Sequence, residues 1–121
     1  MTEILTKRVY SDPDGTRADD GFRIFVDRLW PRGESKQKFH YDLWAKDAAP
    51  SPALREWYHQ DREDRWPEFK KKYLAELEAN PAIPDLLSVI RRHPRVTILY
   101  GAKDTQHNNA VILADYLRHH L

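Results

Sequence analysis

Apolar positions along the chain form three short runs, followed by several helical stripes. The runs "ILTKRVY" (4–10), "FRIFV" (22–26) and "RVTILY" (95–100) are rich in β-branched and aromatic residues, which predicts three strands. The last run is almost continuously apolar, as expected for a strand that is covered on both faces. Turn-forming residues separate the first two runs, and residues 30–50 have no sustained period, which predicts a long ordered loop.

Helical spacing dominates much of the rest of the chain. Ser51 and Pro52 form the N-cap and first position of a short helix. Further helices are predicted to start between 61 and 66, at 84 and near 105. The second of the four presents Trp66, Phe69 and Tyr73 on one apolar face, which we assign to the core. Strands separated by helices predict an α/β fold, with a small, mainly parallel sheet flanked by helices in a single domain over residues 1–121.

Composition narrows the possible roles. The 121 residues include 20 basic and 19 acidic side chains and no cysteine. The near-neutral charge argues against bulk electrostatic binding of nucleic acid as the main role. The absence of cysteine excludes disulfides, a thiol nucleophile and thiolate metal ligands. No apolar run reaches the length of a membrane span or a secretory signal, so we expect a cytoplasmic protein without a membrane partner.

Polar side chains cluster where two predicted strands end. The second strand leads into "DRLWPRG", with Asp27, Arg28 and Arg32, and the third ends at Tyr100 before "GAKD". Ligands of open parallel sheets bind beyond the carboxyl ends of the strands. If the two strands are parallel neighbours, these groups share one cleft.

The residue types in this cluster suit a small anion. Arg28, Arg32 and Lys103 provide donors for a phosphate or carboxylate, and the start of the last helix adds free N–H groups near Asn108. Trp30 is placed to stack on a ring or to shield the ligand. For catalysis, Asp27 or Asp104 would be the general base or the acceptor for a ribose hydroxyl, and His107 would carry a proton. Gly101 allows the backbone to approach a ligand closely.

Each feature also has a structural interpretation. Asp27 can form an ion pair with Arg28 or Arg32 that pins the loop, and Trp30 can serve packing alone. His107 falls on the inward face of the predicted last helix, and Asp104 is a suitable N-cap for it. Asp104 and His107, at i and i+3, could share a metal ion, but no His-x3-His pair or acidic triad completes a set, so we predict no metal site.

Five blocks of the sequence resemble the YeaO-like proteins, known as domain of unknown function 488. They are "RVY", "FVDRLWPRG", "DLWAKDAAPS", "LREWYH" and "LYGAKDTQHNNAVILADYL", and the resemblance as a whole runs from about Ile4 to Leu117. Two positions differ from the usual pattern, since the family more often has alanine at Gly101 and histidine at Asn109. The missing histidine weakens any mechanism that needs two histidines.

The resemblance implies a small bacterial-type protein of α/β fold and leaves its reaction and cofactor unknown. It marks Gly33, Lys46 and Asp47 in addition to the positions named above, and it suggests that the loop around Lys46 folds over the cleft as a lid. The favoured hypothesis is a site for a phosphate- or nucleotide-like ligand, either in an enzyme or in a binding protein. The alternative is a nucleic-acid- or protein-binding surface. Its residues would be Arg28, Arg32, Lys36, Lys38 and Lys46, with Trp30 and Trp44.

Overall fold

Four parallel strands form the central sheet. A computed structural model describes residues 2–11, 19–35 and 39–121. The strands are β1 (Glu3–Arg8), β2 (Phe22–Phe25), β3 (Leu43–Trp44) and β4 (Arg95–Tyr100), and they lie in the order β1-β4-β2-β3. Strands β2 and β4 pair in parallel, with Phe22 opposite Val96 and Phe25 opposite Leu99. This pairing confirms the prediction that the two strands are parallel and end at the same edge of the sheet.

Within the described residues, four α-helices accompany the sheet, and they confirm the predicted α/β fold. They are α1 (Pro52–His59), α2 (Arg62–Ala79), α3 (Ala82–Arg91) and α4 (Asn109–His120). The Ser51 hydroxyl accepts a hydrogen bond from the Leu54 backbone N–H at 3.2 Å, as its predicted N-cap role requires. The Asn108 side chain likewise accepts from the N–H of Val111 at 2.9 Å. Because a cap satisfies an otherwise unpaired N–H group, these residues fix where the helices begin.

The two faces of the sheet are covered differently. Ile24 and Ile98 face a core that includes apolar side chains from all four helices. Phe25 and Leu99 face the opposite way and pack with Phe39. Four further rings, Tyr10, Trp30, Tyr41 and Trp44, lie around this second cluster. The apolar character of β4 therefore reflects burial on both faces, as predicted.

Several predicted boundaries are wrong. The first strand stops at Arg8, and Val9–Ser11 form a 3-10 turn. The predicted loop contains β3 and a second 3-10 turn, Lys46–Ala48. Helix α3 begins at Ala82 rather than 84, and α4 begins at Asn109 rather than near 105.

The late start of α4 has a local cause. The Asp104 carboxylate accepts hydrogen bonds from the backbone N–H groups of Gln106 and His107, both at 2.9 Å. These bonds close a turn ahead of the helix, so the N-cap is Asn108 and not Asp104. His107 consequently lies before the helix with an exposed side chain, and its predicted inward position is wrong.

Candidate functional site

A cleft of about 810 Å³ opens at the carboxyl edge of the sheet. One wall follows β2 and β4, and the other consists of α1 and the start of α2. Its charged and histidine side chains are Asp27, Arg28, Arg32, Arg55, His59, Arg62, Glu63, Asp104 and His107. Its aromatic rings are Trp30, Tyr58, Trp66 and Phe69. The two polar clusters that follow β2 and β4 therefore meet in one concave site.

Asp27 connects three elements beside the cleft. One carboxylate oxygen accepts a hydrogen bond from the Gly101 N–H at 2.8 Å, and the other accepts from the Asn109 side-chain amide at 3.3 Å. A Cβ atom at position 101 would lie 3.2 Å from this carboxylate, so the glycine permits the close approach. Burial raises the pKa of Asp27, and the bonds from Gly101 and Asn109 and the charge of Arg55 oppose that rise. Asp27 makes no salt bridge with Arg28 or Arg32 among the described residues, so the alternative structural role as an ion pair with either arginine is not supported.

Arg28 is incompletely satisfied. Its Nη2 atom donates weakly to the carbonyls of Ala49 and Pro50, at 3.5 and 3.4 Å. Its buried Nε atom has no hydrogen-bond partner, and no other buried side-chain nitrogen or oxygen shares that state within residues 2–11, 19–35 and 39–121. A buried donor without a partner is costly, and such groups are uncommon in folded proteins.

The helical wall carries a second group of basic side chains. Arg55 and His59 lie one turn apart on α1, and Arg62 is the first residue of α2. Burial lowers the pKa of His59, and the positive charges of Arg55 and Arg62 lower it further. The imidazole therefore favours its neutral form.

Asp104 and His107 form a local pair at the mouth of the cleft. The His107 Nδ1 atom lies 3.2 Å from a carboxylate oxygen of Asp104, and both side chains are about half exposed. Hydrogen bonds from the Gln106 and His107 N–H groups lower the pKa of Asp104, so this carboxylate is ionised at neutral pH. The His107 ring also meets the edge of Trp66 at a centroid distance of 4.9 Å. Trp66 is half buried rather than fully in the core. Phe69 and Tyr73 are buried as predicted, and Phe69 lines the cleft together with Trp66.

The predicted site residues divide into two sets. Those that line the cleft are Asp27, Arg28, Trp30, Arg32, Asp104, His107 and Asn108. Those that do not line it are Gly33, Lys46, Asp47, Tyr100 and Lys103. Tyr100 is buried at the end of β4, Lys103 is exposed, and Gly33 lies in a turn with a φ of 79°. The catalytic and ligand-binding roles of both sets stay predictions.

The segment around Lys46 is part of the sheet edge, so the predicted lid is wrong. Asp42 accepts a hydrogen bond from the Arg23 N–H at 2.8 Å, and the Trp44 indole donates to the Asp27 carbonyl at 2.7 Å. Lys46 lies over the Trp44 ring, 4.9 Å from its centroid. Of the predicted binding surface, Lys36 and Lys38 lie outside the described residues.

Sequence reasoning missed Arg55, His59 and Arg62. The four-residue spacing of Arg55 and His59 was a usable signal for one helical face, but Arg62 begins a separate helix after Gln60 and Asp61. Polar side chains on helices normally face solvent, and all three of these are exposed; only the packing of α1 and α2 makes this exposed surface one wall of the cleft.

The described part of the chain shows neither a metal cluster nor a membrane span. It contains no group of three or more His, Asp or Glu side chains arranged to hold a metal ion. Within the same residues, each helix is too short or too polar to cross a bilayer.

Comparison with known proteins gives the family. Residues 3–121 match the family model described as "Inactive DUF488-N3 subclade". The chain belongs to the DUF488 family. It is 43% identical over 115 residues to the "Uncharacterized protein YeaO" of Escherichia coli (strain K12), covering 95% of this chain and 96% of that protein. It is 39% identical over 116 residues to "Uncharacterized protein Rv3073c" of Mycobacterium tuberculosis (strain ATCC 25618 / H37Rv), covering 96% and 94%. No solved structure matches this DUF488 chain at a significant level.

Proposed function

We propose that the protein binds a small phosphate- or nucleotide-like anion in the cleft, as a binding protein rather than a catalyst. Four arginines, Arg28, Arg32, Arg55 and Arg62, line this one concavity. None of the four forms a salt bridge with any carboxylate among the described residues. Convergent guanidinium groups without acidic partners are the observation that carries the proposal, because their planar donors match phosphate oxygens.

The acidic residues of the cleft are partly engaged elsewhere. Three carboxylates, Asp27, Glu63 and Asp104, line it alongside the four arginines. Backbone N–H groups hydrogen-bond Asp27 and Asp104, and burial raises the pKa of Asp27. The arginines therefore remain the more available charges for a ligand.

The shape and the apolar lining favour a small molecule with a ring or a sugar. About 810 Å³ is a typical volume for a ligand pocket. Trp30 and Trp66 supply aromatic surface within it. A concave cleft suits this class better than the flat basic-aromatic surface that single-stranded nucleic acid requires.

The description of the matching family model as inactive supports a binding role without turnover. The raised pKa of Asp27 is compatible with a binding protein as well as with an enzyme, because buried carboxylates occur in structural networks as well as in active sites. Lys46, Asp47, Tyr100 and Lys103 have no part in this proposal, since they lie outside the cleft.

A ligand panel tests the proposal directly. Inorganic phosphate, pyrophosphate, mononucleotides, sugar phosphates and short oligonucleotides are screened by thermal shift, and hits are measured by calorimetry. A ligand at 100 times its Kd is expected to stabilise the fold by about 2.7 kcal/mol. Failure of every phosphate compound to shift the melting temperature would contradict the proposal.

Two variants on opposite walls locate the binding. Arg32→Gln and Arg62→Gln should each weaken a phosphate ligand about 10-fold or more, since a hydrogen bond to a charged group contributes about 1.5–3 kcal/mol. Arg92→Gln is the matched control, because Arg92 is an exposed residue after α3 and lies outside the cleft. Equal losses in all three variants would indicate non-specific attraction to net charge instead of a site.

A further inference from the structure

We propose that Arg55, His59 and Arg62 form the subsite for a dianionic phosphate group, and that His59 takes up a proton when the anion binds. This inference rests on the proposed function and specifies where in the cleft the charge of the ligand is held. It assigns a specificity role to a side chain at the junction of α1 and α2. The chemical class is a terminal phosphate or an equivalent dianion.

Helix geometry brings the three groups together. Arg55 and His59 are separated by four residues on α1, and both side chains line the cleft. Helix α1 ends at His59, and α2 begins at Arg62 after the two residues Gln60 and Asp61. All three therefore approach the cleft from the same wall, two as permanent cations and one as a group that can become a third.

The surroundings keep the imidazole neutral when no anion is present. Partial burial and the two guanidinium groups lower the pKa of His59 below its ordinary value of 6.5. The ring of Tyr58 lies 6.0 Å from the imidazole and carries no charge at neutral pH. The other charged or titratable groups lining the cleft are Asp27, Arg28 and Arg32 after β2, Glu63 on α2, and Asp104 and His107 before α4.

A dianion bound among these groups shifts the His59 imidazole from its neutral form towards its protonated form. It offsets the positive potential of Arg55 and Arg62, and it offers the imidazolium a charged hydrogen-bond acceptor. Both effects favour the protonated ring. By linkage, a ligand that promotes protonation must bind more tightly at lower pH. A monoanion provides less compensation, so the subsite should prefer a phosphate monoester to a diester.

Sulfate is a suitable probe because it stays a dianion across the titration range of histidine, so any change of affinity with pH belongs to the protein. Sulfate is titrated into the full chain at constant ionic strength while NMR follows the histidine rings, at pH values from about 8 down to about 6. We expect sulfate affinity to rise as the pH falls, by up to about 10-fold per pH unit, which is the limit for uptake of one proton. The His59 ring should also titrate at a higher pH with sulfate than without it.

Three substitutions assign the proton. His59→Gln should abolish the dependence of sulfate affinity on pH. His119→Gln should leave both unchanged, because His119 is exposed near the end of α4 and does not line the cleft. His107→Gln tests the other histidine that lines the cleft. If His107→Gln loses the pH dependence of sulfate affinity and His59→Gln keeps it, the assignment to His59 is overturned.

The remaining outcomes separate this inference from the proposed function. Sulfate or phosphate ligands that bind with no dependence on pH would overturn the role of His59 and leave the cleft as a binding site. Sulfate affinity that still depends on pH in His59→Gln would also overturn the role of His59 and leave the cleft as a binding site. If neither sulfate nor any member of the phosphate panel binds, both the inference and the proposed function are refuted.

Discussion

Removing the hydroxyl of Tyr73 should destabilise the protein measurably, although the ring itself remains. Tyr73 lies on α2 with no exposed surface, and its hydroxyl donates to the Ala48 carbonyl at 2.5 Å. Ala48 is 2% exposed, and no other described residue donates to its carbonyl oxygen. Tyr73→Phe therefore keeps the packing and leaves one buried acceptor without a partner.

The expected magnitude follows from this single contact. A buried polar group that loses its partner costs about 1–3 kcal/mol. An entropy of unfolding of about 2.1 cal/mol/K per residue gives about 0.25 kcal/mol/K for 121 residues. The melting temperature should accordingly fall by about 4–12 °C. Burial raises the pKa of the Tyr73 phenol, so the hydroxyl stays protonated and the loss should be the same at neutral and at mildly alkaline pH.

Urea unfolding followed by tryptophan fluorescence measures the loss. Tyr41→Phe is the matched control, because Tyr41 is half buried and no described residue hydrogen-bonds to its hydroxyl. We expect the control to stay within about 0.5 kcal/mol of the wild type. A Tyr73→Phe variant as stable as the control, with an unchanged denaturant slope, would refute the reasoning.

Two other stability predictions concern backbone conformation and buried charge. Gly21→Ala and Gly33→Ala both place a side chain at positive φ, 66° and 79°, at a backbone cost of roughly 1–2 kcal/mol. Only at Gly21 would the new Cβ also collide with the Arg95 carbonyl, so Gly21→Ala should unfold at clearly lower urea than Gly33→Ala; equal midpoints would contradict this. Because burial raises the pKa of Asp27, the contribution of Asp27 to stability falls as the pH rises from about 3.8 through its folded-state pKa, and Asp27→Asn should gain stability relative to the wild type over that window. A relative loss for Asp27→Asn with rising pH in urea titrations would show that hydrogen bonding to the charged form dominates.

Asp27 lines the proposed binding cleft, so the effect of Asp27→Asn on stability can be compared with its effect on ligand binding. Its carboxylate joins the end of β2 to Gly101 after β4 and to Asn109 at the start of α4. An asparagine can still accept from the Gly101 N–H, but its NH2 group would face the donating amide of Asn109, so the substitution removes the charge together with that second hydrogen bond. If Asp27→Asn is more stable yet binds the cleft ligand less tightly, the charge is retained for binding at a cost in stability.

Local sequence signals determined most of the secondary structure and the parallel direction of the strands. The β-branched and aromatic run at 95–100 predicted β4, and its apolar character on both sides predicted burial within a sheet. Ser51 and Pro52 predicted the start of α1, because an N-cap bond and a proline at the first position are both local interactions. The intervening helices supplied crossovers long enough for parallel pairing, so the shared edge of β2 and β4 could also be inferred.

Only the tertiary structure decided which polar groups meet. Strand β3 is two residues long and exists through pairing with β2, so no periodic pattern could have indicated it. The same pairing holds Lys46 away from the cleft, although the family resemblance had suggested a lid there. Arg55 and His59 on α1 and Arg62 on α2 line one wall of the cleft, and they meet there because of how the two helices pack against the rest of the fold. Hydrophobic periodicity identifies the buried face of a helix, but it does not reveal whether the opposite face meets solvent or the wall of a cleft.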